Sequence, residues 1–127
     1  VEIVLDVGKN TKKLFKKLSE QEIKIITRII GVYIDNAVAA CKNKIVNIEI
    51  YKLDDNLVFT ISNTVNNNFD IKKIGKKGFT TKGKGHGQGL YLTNRLIGRN
   101  KWLKSENKLV NNYYVTKLVI DTKNIGK

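Results

Sequence analysis

Two stretches hold residues whose types and spacing could do chemistry. The first is "RIIGVYIDNAVAAC", residues 28–41, in which Asn36 follows Ile29 by seven positions. Seven residues is close to two helical turns, so in a helix Asn36 lies nearly above Ile29, with Val32 and Ala40 beside it, on the apolar side. A buried amide without a partner costs roughly 1–3 kcal/mol, and asparagine is a poor interior helix former. Such a residue needs a backbone group, a buried water or a ligand to satisfy it. Asp35 points about 100° away and reads as a surface acid or one acting behind another group.

The second stretch is "GFTTKGKGHGQGL", residues 78–90, which places five glycines, two lysines and two threonines in thirteen positions and runs into "LYLTNRLIG". Glycines let backbone N–H groups converge on an anion, and a following helix adds its unsatisfied N-terminal donors and positive dipole end. Lys82 and Lys84 add charge. The chemistry is that of a phosphate cradle, although composition alone does not separate it from a loop made loose by glycine. Two familiar phosphate motifs come close and fail. "GFTTKGKG" meets G-x-x-x-x-G-K, but Gly85 follows where Ser or Thr would hold magnesium, and residues 66–77 are too polar to be the preceding strand. "GHGQG" is not G-x-G-x-x-G and also lacks that strand. A P-loop and a dinucleotide fold are thereby disfavoured.

The elements that must position these residues follow from hydrophobic periodicity. "VEIVLDV" is β-branched and weakly alternating, so it predicts a strand. In "NTKKLFKKLSEQ" the anchors are Leu14, Phe15 and Leu18. "SEQE" has the form of a capping box, with Ser19 as N-cap and Glu22 at the third helical position. The helix it opens should run to about Lys42 with Ile26, Ile29, Ile30, Tyr33, Ala37 and Ala40 at helical spacing. "IVNIEIYKLDDNLVFTIS" predicts a hairpin around "LDDN". The long Asn-, Lys- and Gly-rich run that follows is of a kind usually functional or disordered. A second helix then begins in "LYLTNRLIG", with Gly98 as its stop. "KWLKSEN" and "NNYYVTKLVID" form a last hairpin. The order implies one α/β domain over residues 1–127, a two-layer α+β sandwich with helices on one face of a mixed, mainly antiparallel sheet.

Bulk properties narrow the class. The 127 residues suit one core, and no apolar run approaches the roughly 20 residues needed to span a bilayer. No secretory leader opens the chain, and its first residue is not methionine, as expected of a piece of something longer. The single cysteine, Cys41, has no internal disulfide partner and reads as a small buried side chain in a reducing compartment. The net charge is +13, but lysine supplies 21 of the 24 basic residues. Arginine, the usual reader of phosphate and guanine, is scarce, and aromatics do not alternate with the basic residues as a base-stacking surface requires. A generic basic surface is expected, without a specific nucleic-acid partner. Lys72, Lys73, Lys76, Lys77, Lys82 and Lys84 fall within thirteen residues, which calls for a concentrated anion nearby.

The two stretches together carry a resemblance. A helix ending in "DNAVAAC", followed after about forty residues by "GFTTKGKGHGQGLYLTNRLI", resembles the catalytic, ATP-binding domain of sensor histidine kinases, in the GHKL or Bergerat-type ATPase superfamily. Within it the chain looks most like the peptide-responsive, quorum-sensing branch typified by AgrC and VirS. The resemblance covers essentially the whole chain and implies the Bergerat ATP-binding fold, with ATP and Mg2+ as ligands.

Carried over position by position, the resemblance makes Asn36 the amide that coordinates Mg2+ between the phosphates. It makes residues 66–84 a lid over the nucleotide, with Phe79 as an apolar latch. Thr80, Thr81 and the catalytic Lys82 would approach the phosphates, and Gly85, His86, Gly87, Gln88, Gly89 and Leu90 would form the second glycine box. Asn63, in "FTISNT", stands where the family usually has the aspartate that receives the adenine amino group, and "NTVNN" lacks the glycines of that first box. An amide both donates and accepts, so adenine selectivity is open at this point, and a strand-end cap is the plain alternative. Val32 stands where hydrolytic members carry a glutamate base. Valine activates no water, so independent hydrolysis should be slow while transfer to an imidazole survives. His86 is not expected to be the phosphorylated histidine, because such kinases carry the acceptor on a separate helical hairpin.

The resemblance therefore implies a protein histidine kinase domain of a two-component system. It would donate the γ-phosphoryl of Mg-ATP to a histidine on its own N-terminal dimerisation helices, for relay to a response regulator. The full-length protein is expected to be a membrane-anchored homodimer with this domain in the cytoplasm, and the isolated domain a monomer. The alternatives are a basic nucleic-acid-binding module without enzymatic activity, a GHKL ATPase or serine kinase acting without a phosphoacceptor domain, and, given the eroded first glycine box, a degenerate domain used only for signalling contacts.

Overall fold

The computed structural model describes residues 1–65 and 88–125. The chain runs through β1 (Glu2–Val7), α1 (Lys12–Phe15), α2 (Glu20–Ala40), β2 (Ile45–Leu53), β3 (Asn56–Thr64), α3 (Gln88–Arg99), β4 (Leu103–Val110) and β5 (Tyr113–Asp121). The five strands form one sheet in the order β1-β2-β3-β5-β4, with β1 parallel to β2 and every other pair antiparallel. The mixed, mainly antiparallel sheet with helices is as the sequence predicts.

Local chemistry sets the element ends. At the start of α2 the Ser19 backbone N–H donates to Glu22 Oε1 at 2.7 Å, and the Glu22 N–H donates to Ser19 Oγ at 3.2 Å. This reciprocal pair satisfies two of the four donors a helix start leaves open. The helix stops at Cys41, whose backbone is extended. Asn111 and Asn112 join β4 to β5, both at positive φ, and this pair gives a hairpin turn matched to the strand twist. Asp54 likewise takes positive φ between β2 and β3. The second helix departs from expectation at its end: Gly98 lies inside α3, which continues to Arg99, and the Asn100 side chain donates back to Leu96 O at 2.8 Å.

Register puts Leu57, Phe59, Ile61 and Asn63 of β3 on one face of the sheet, level with Ile120, Leu118, Thr116 and Tyr114 of β5. Helices α1 and α2 pack on β3, and α3 on β4. Ile26, Ile29, Tyr33 and Ala37 of α2 meet this face in a core that also takes Leu14, Leu18, Val46, Ile97 and Trp102. Full burial of each aliphatic side chain such as Ile29, Leu57 or Leu118 contributes roughly 1.5–3 kcal/mol. Cys41 is half-buried rather than buried. Strand β1 is exposed along its whole length, with Ile3, Leu5 and Val7 uncovered, and β4 is exposed beyond Leu103. No described helix is long and apolar enough to cross a membrane.

Candidate functional site

One end of the sandwich gathers the polar groups that the apolar core does not explain. The C-terminal end of α2 is tied to the end of β3 by the Lys42 N–H, which donates to Thr64 O at 2.9 Å, and by the Asn43 N–H, which donates to Thr64 Oγ1 at 3.2 Å. That tie brings the last turns of α2, with Asn36, to the same end as Asn63, the penultimate residue of β3. Helix α3 begins there too. A Cβ placed on Gly89 would meet Val32 Cγ1 at 3.2 Å, so the first turn of α3 lies against α2 one turn before Asn36. At the far end Ser19 and Ile25 border the same depression as Arg99 and Trp102, so the two helices run antiparallel. The N-terminal, positive end of α3 thus faces the Asn36 end of α2.

Asn63 is 1% exposed on the core face, between Val46 and Tyr114 of the neighbouring strands. Its Nδ2 donates to Thr64 O at 3.1 Å, while Oδ1 is buried with no hydrogen-bond partner among the described residues. An unsatisfied buried acceptor costs about 1–3 kcal/mol, which an ordered water or a ligand donor would offset. The Nδ2 bond to the carbonyl of the last residue of β3 is the contact a strand-end cap makes, and it leaves Oδ1 unaccounted for.

Asn36 differs from its expected setting. It is half-buried, at the margin of the buried face, and its Nδ2 donates to Val32 O at 2.9 Å. The amide is therefore not wholly without a partner, since i−4 back-bonding satisfies one of its two N–H donors. The bond also orients the group: with Nδ2 held on the backbone, Oδ1 is the atom left to accept from, or coordinate, something beyond the helix. Asp35 is exposed. Among the described residues no group of three His, Cys, Asp or Glu could cage a metal. A hard cation here would be held by Asn36 Oδ1 together with ligand oxygens, the manner usual for magnesium.

The other expected site residues divide in two. Gln88 opens α3, Gly89 touches Val32, and Leu90 is half-buried against the core, its carbonyl accepting from Thr93 Oγ1 at 2.9 Å. Phe79, Thr80, Thr81, Lys82, Gly85, His86 and Gly87, and the expected lid over residues 66–84, lie outside the described residues.

The floor beside Asn63 holds Tyr114, which the sequence reading did not single out, and Tyr33, named there only for the apolar face of α2, interacts with it. Tyr114 is 6% exposed, and burial pushes its hydroxyl pKa up, with hydrogen bonding to Thr116 and Asn107 opposing the rise. Tyr33 of α2 is 4% exposed and is pushed up to about 12, chiefly by burial, against a hydrogen bond to Ser105 and with Tyr114 adding to the rise. Both phenols are neutral at ordinary pH. A signal for Tyr114 was present in "YYVTKLVID", since strict alternation puts Tyr114 and Thr116 on the same face as Leu118 and Ile120.

The chain belongs to the GHKL domain family, whose model matches residues 22–125. No curated protein matches it at a significant level. Its fold is that of histidine kinase catalytic domains. It is similar to the histidine kinase AdeS of Acinetobacter baumannii, with a TM-score of 0.68, 13% identity, and coverage of 97% of this chain and 56% of AdeS. Against the catalytic domain of histidine kinase ThkA the TM-score is 0.69 at 16% identity, covering 95% of this chain and 78% of that one. Full-length ShkA, solved in complex with AMPPNP, gives 0.70 at 16% identity, with 94% of this chain on 25% of ShkA. The chain thus spans little more than half of AdeS and a quarter of ShkA.

Proposed function

We propose that this domain binds Mg-ATP at the Asn36–Asn63 end of the sandwich and donates the γ-phosphoryl group to a histidine on a separate helical domain. The observation that carries this reading is the orphaned Oδ1 of Asn63. An adenine amino group is a donor of the right kind to satisfy it. Asn36 Oδ1 would hold the magnesium ion, whose charge neutralises the phosphates when bound. The N-terminal end of α3 and the backbone N–H groups of Gly85, Gly87 and Gly89 would receive the triphosphate, with Thr80, Thr81, Lys82, His86 and Gln88 around it and Phe79 closing over the base.

In the transfer an imidazole nitrogen of the acceptor attacks the γ-phosphorus, the bond to the ADP oxygen breaks, and the imidazole proton leaves to solvent. The domain contributes positioning and charge neutralisation rather than a covalent intermediate. Val32 provides no base for water, so hydrolysis is slow while transfer proceeds. The same proposal extends to the longer protein: an AgrC- and VirS-like sensor kinase, membrane-anchored and dimeric, that passes the phosphoryl on to a response regulator, with this domain in the cytoplasm.

The test is to incubate the full-length protein with γ-labelled ATP. Label that is acid-labile and alkali-stable, and lost in Asn36→Ala, is the expected result, because the phosphoramidate of a histidine hydrolyses in acid. Acid-stable label would indicate a hydroxyl acceptor and contradict the histidine assignment.

A further inference from the structure

Arginine supplies only three of the 24 basic residues, and all three line a single cavity. Arg28 projects from α2, and Arg95 and Arg99, one turn apart, project from α3, around a space of about 320 Å3 between the antiparallel helices. Val32, Leu92 and Leu96 supply the apolar part of its wall, and neither a lysine nor an acidic residue is among the described residues that line it. All three arginines are exposed, and none is ion-paired with a carboxylate among the described residues. Arg95 lies over the Tyr91 ring at 6.0 Å, a contact that orients its guanidinium without neutralising it.

Solubility does not require this arrangement, since the chain uses lysine nearly everywhere else. Guanidinium differs from ammonium in its planar fork, weaker hydration and readiness to stack, which suit contacts that must shed water. Protein interfaces are enriched in arginine and depleted in lysine, and their energetic centres favour arginine beside apolar contacts. A small free anion would engage the guanidinium groups but leave Leu92, which is 55% exposed, uncovered. A segment bearing both carboxylates and an apolar side chain covers the whole feature.

We infer that the α2–α3 face is a docking surface for an acidic, amphipathic segment of a protein partner. An apolar side chain seats on Val32, Leu92 and Leu96, and carboxylates fork onto Arg28, Arg95 and Arg99. Val32 and Gly89 border both this cavity and the Asn36 end of the helix pair, so a docked segment arrives beside the phosphate end of the candidate site. That the docked segment carries the phosphoryl acceptor rests on the function proposed above, whereas docking itself stands on the arginines.

The experiment follows backbone amide shifts of the isotope-labelled 127-residue chain during titration with a short helical peptide of leucine and glutamate. A leucine–lysine peptide of the same pattern and inorganic tripolyphosphate serve as comparisons. Shifts confined to residues 28–32 and 92–99, given by the acidic peptide alone, are the expected result. The triple variant Arg28→Lys, Arg95→Lys, Arg99→Lys keeps the net charge and should weaken peptide binding by about tenfold. Its ATP affinity should stay at the wild-type value, which separates failure of docking from failure of the nucleotide reading. If the triple variant does not fold, Arg99→Lys alone, farthest from Gly89, should show a smaller loss in the same direction. Equal binding by the lysine variants, shifts centred elsewhere, or full displacement of the peptide by tripolyphosphate at the same amides would overturn the proposal.

Discussion

Asn63 makes one bond with its amide, to the carbonyl of the next residue, and holds the other half of the amide in a buried place with nothing described to meet it. The free energy held in that unsatisfied oxygen is recovered when a donor arrives, so the residue favours the bound state over the empty one. Asn63→Ala removes the acceptor and should lower ATP affinity by about 1–3 kcal/mol, roughly 5- to 150-fold, while raising thermal stability slightly because the orphan is gone. Calorimetry and a melting curve on the same sample check both signs. Tyr33 makes a separate prediction. Its folded pKa is raised from 10.0 to about 12 by burial, so its contribution is fully present below pH 10 and is lost as pH rises through 12. In that window the unfolded chain has released the proton and the folded chain has not, so stability falls by about 2–3 kcal/mol. Tyr33→Phe should flatten that part of an alkaline denaturation curve, and an unchanged slope would contradict the assignment.

Glycine at position 89 leaves room for Val32 between α3 and α2, since an added Cβ would stand 3.2 Å from Val32 Cγ1. Gly89→Ala should push the first turn of α3 away from α2 and cost about 1 kcal/mol of stability. Val32→Ala in the same chain should recover it, and a double-mutant cycle on unfolding free energies reads that coupling. Most elements were legible in the sequence because they rest on local chemistry: the Ser19–Glu22 box, the helical spacing from Ile26 to Ala37, and the alternation of β3 and β5; α1 was not, since Leu14 and Phe15 read only as apolar anchors. Asn36 was legible as a candidate by type and helical position, and Asn63 only through the family resemblance. What was not legible depends on elements distant along the chain. The back-bond of Asn36 to Val32 depends on a rotamer, and the position of Tyr114 beside Asn63 depends on strand register. The arginine cavity requires helices some sixty residues apart to lie antiparallel. Strand β1 read as an ordinary strand, yet Ile3, Leu5 and Val7 are exposed because no described helix covers that edge of the sheet. An uncovered apolar edge strand favours association, so Leu5→Lys should reduce light scattering of concentrated protein with stability unchanged to about 0.5 kcal/mol.

At the scale of the whole molecule the net charge of +13 acts over distance rather than on the fold. It attracts any triphosphate, and that attraction is screened as the Debye length falls from about 30 Å at 0.01 M salt to about 8 Å at 0.15 M. Overall ATP affinity should therefore decline with salt, while the wild-type to Asn63→Ala ratio, set by a buried contact, stays constant. A merely basic surface would show the decline without the ratio. The measurement that tests the central claim most directly is calorimetric titration of the 127-residue chain with ATP, with and without Mg2+, beside Asn36→Ala. One ATP per chain is the predicted result, bound more tightly with the metal, with Asn36→Ala erasing about tenfold of the affinity only when Mg2+ is present. Binding indifferent to both the metal and the substitution would contradict it.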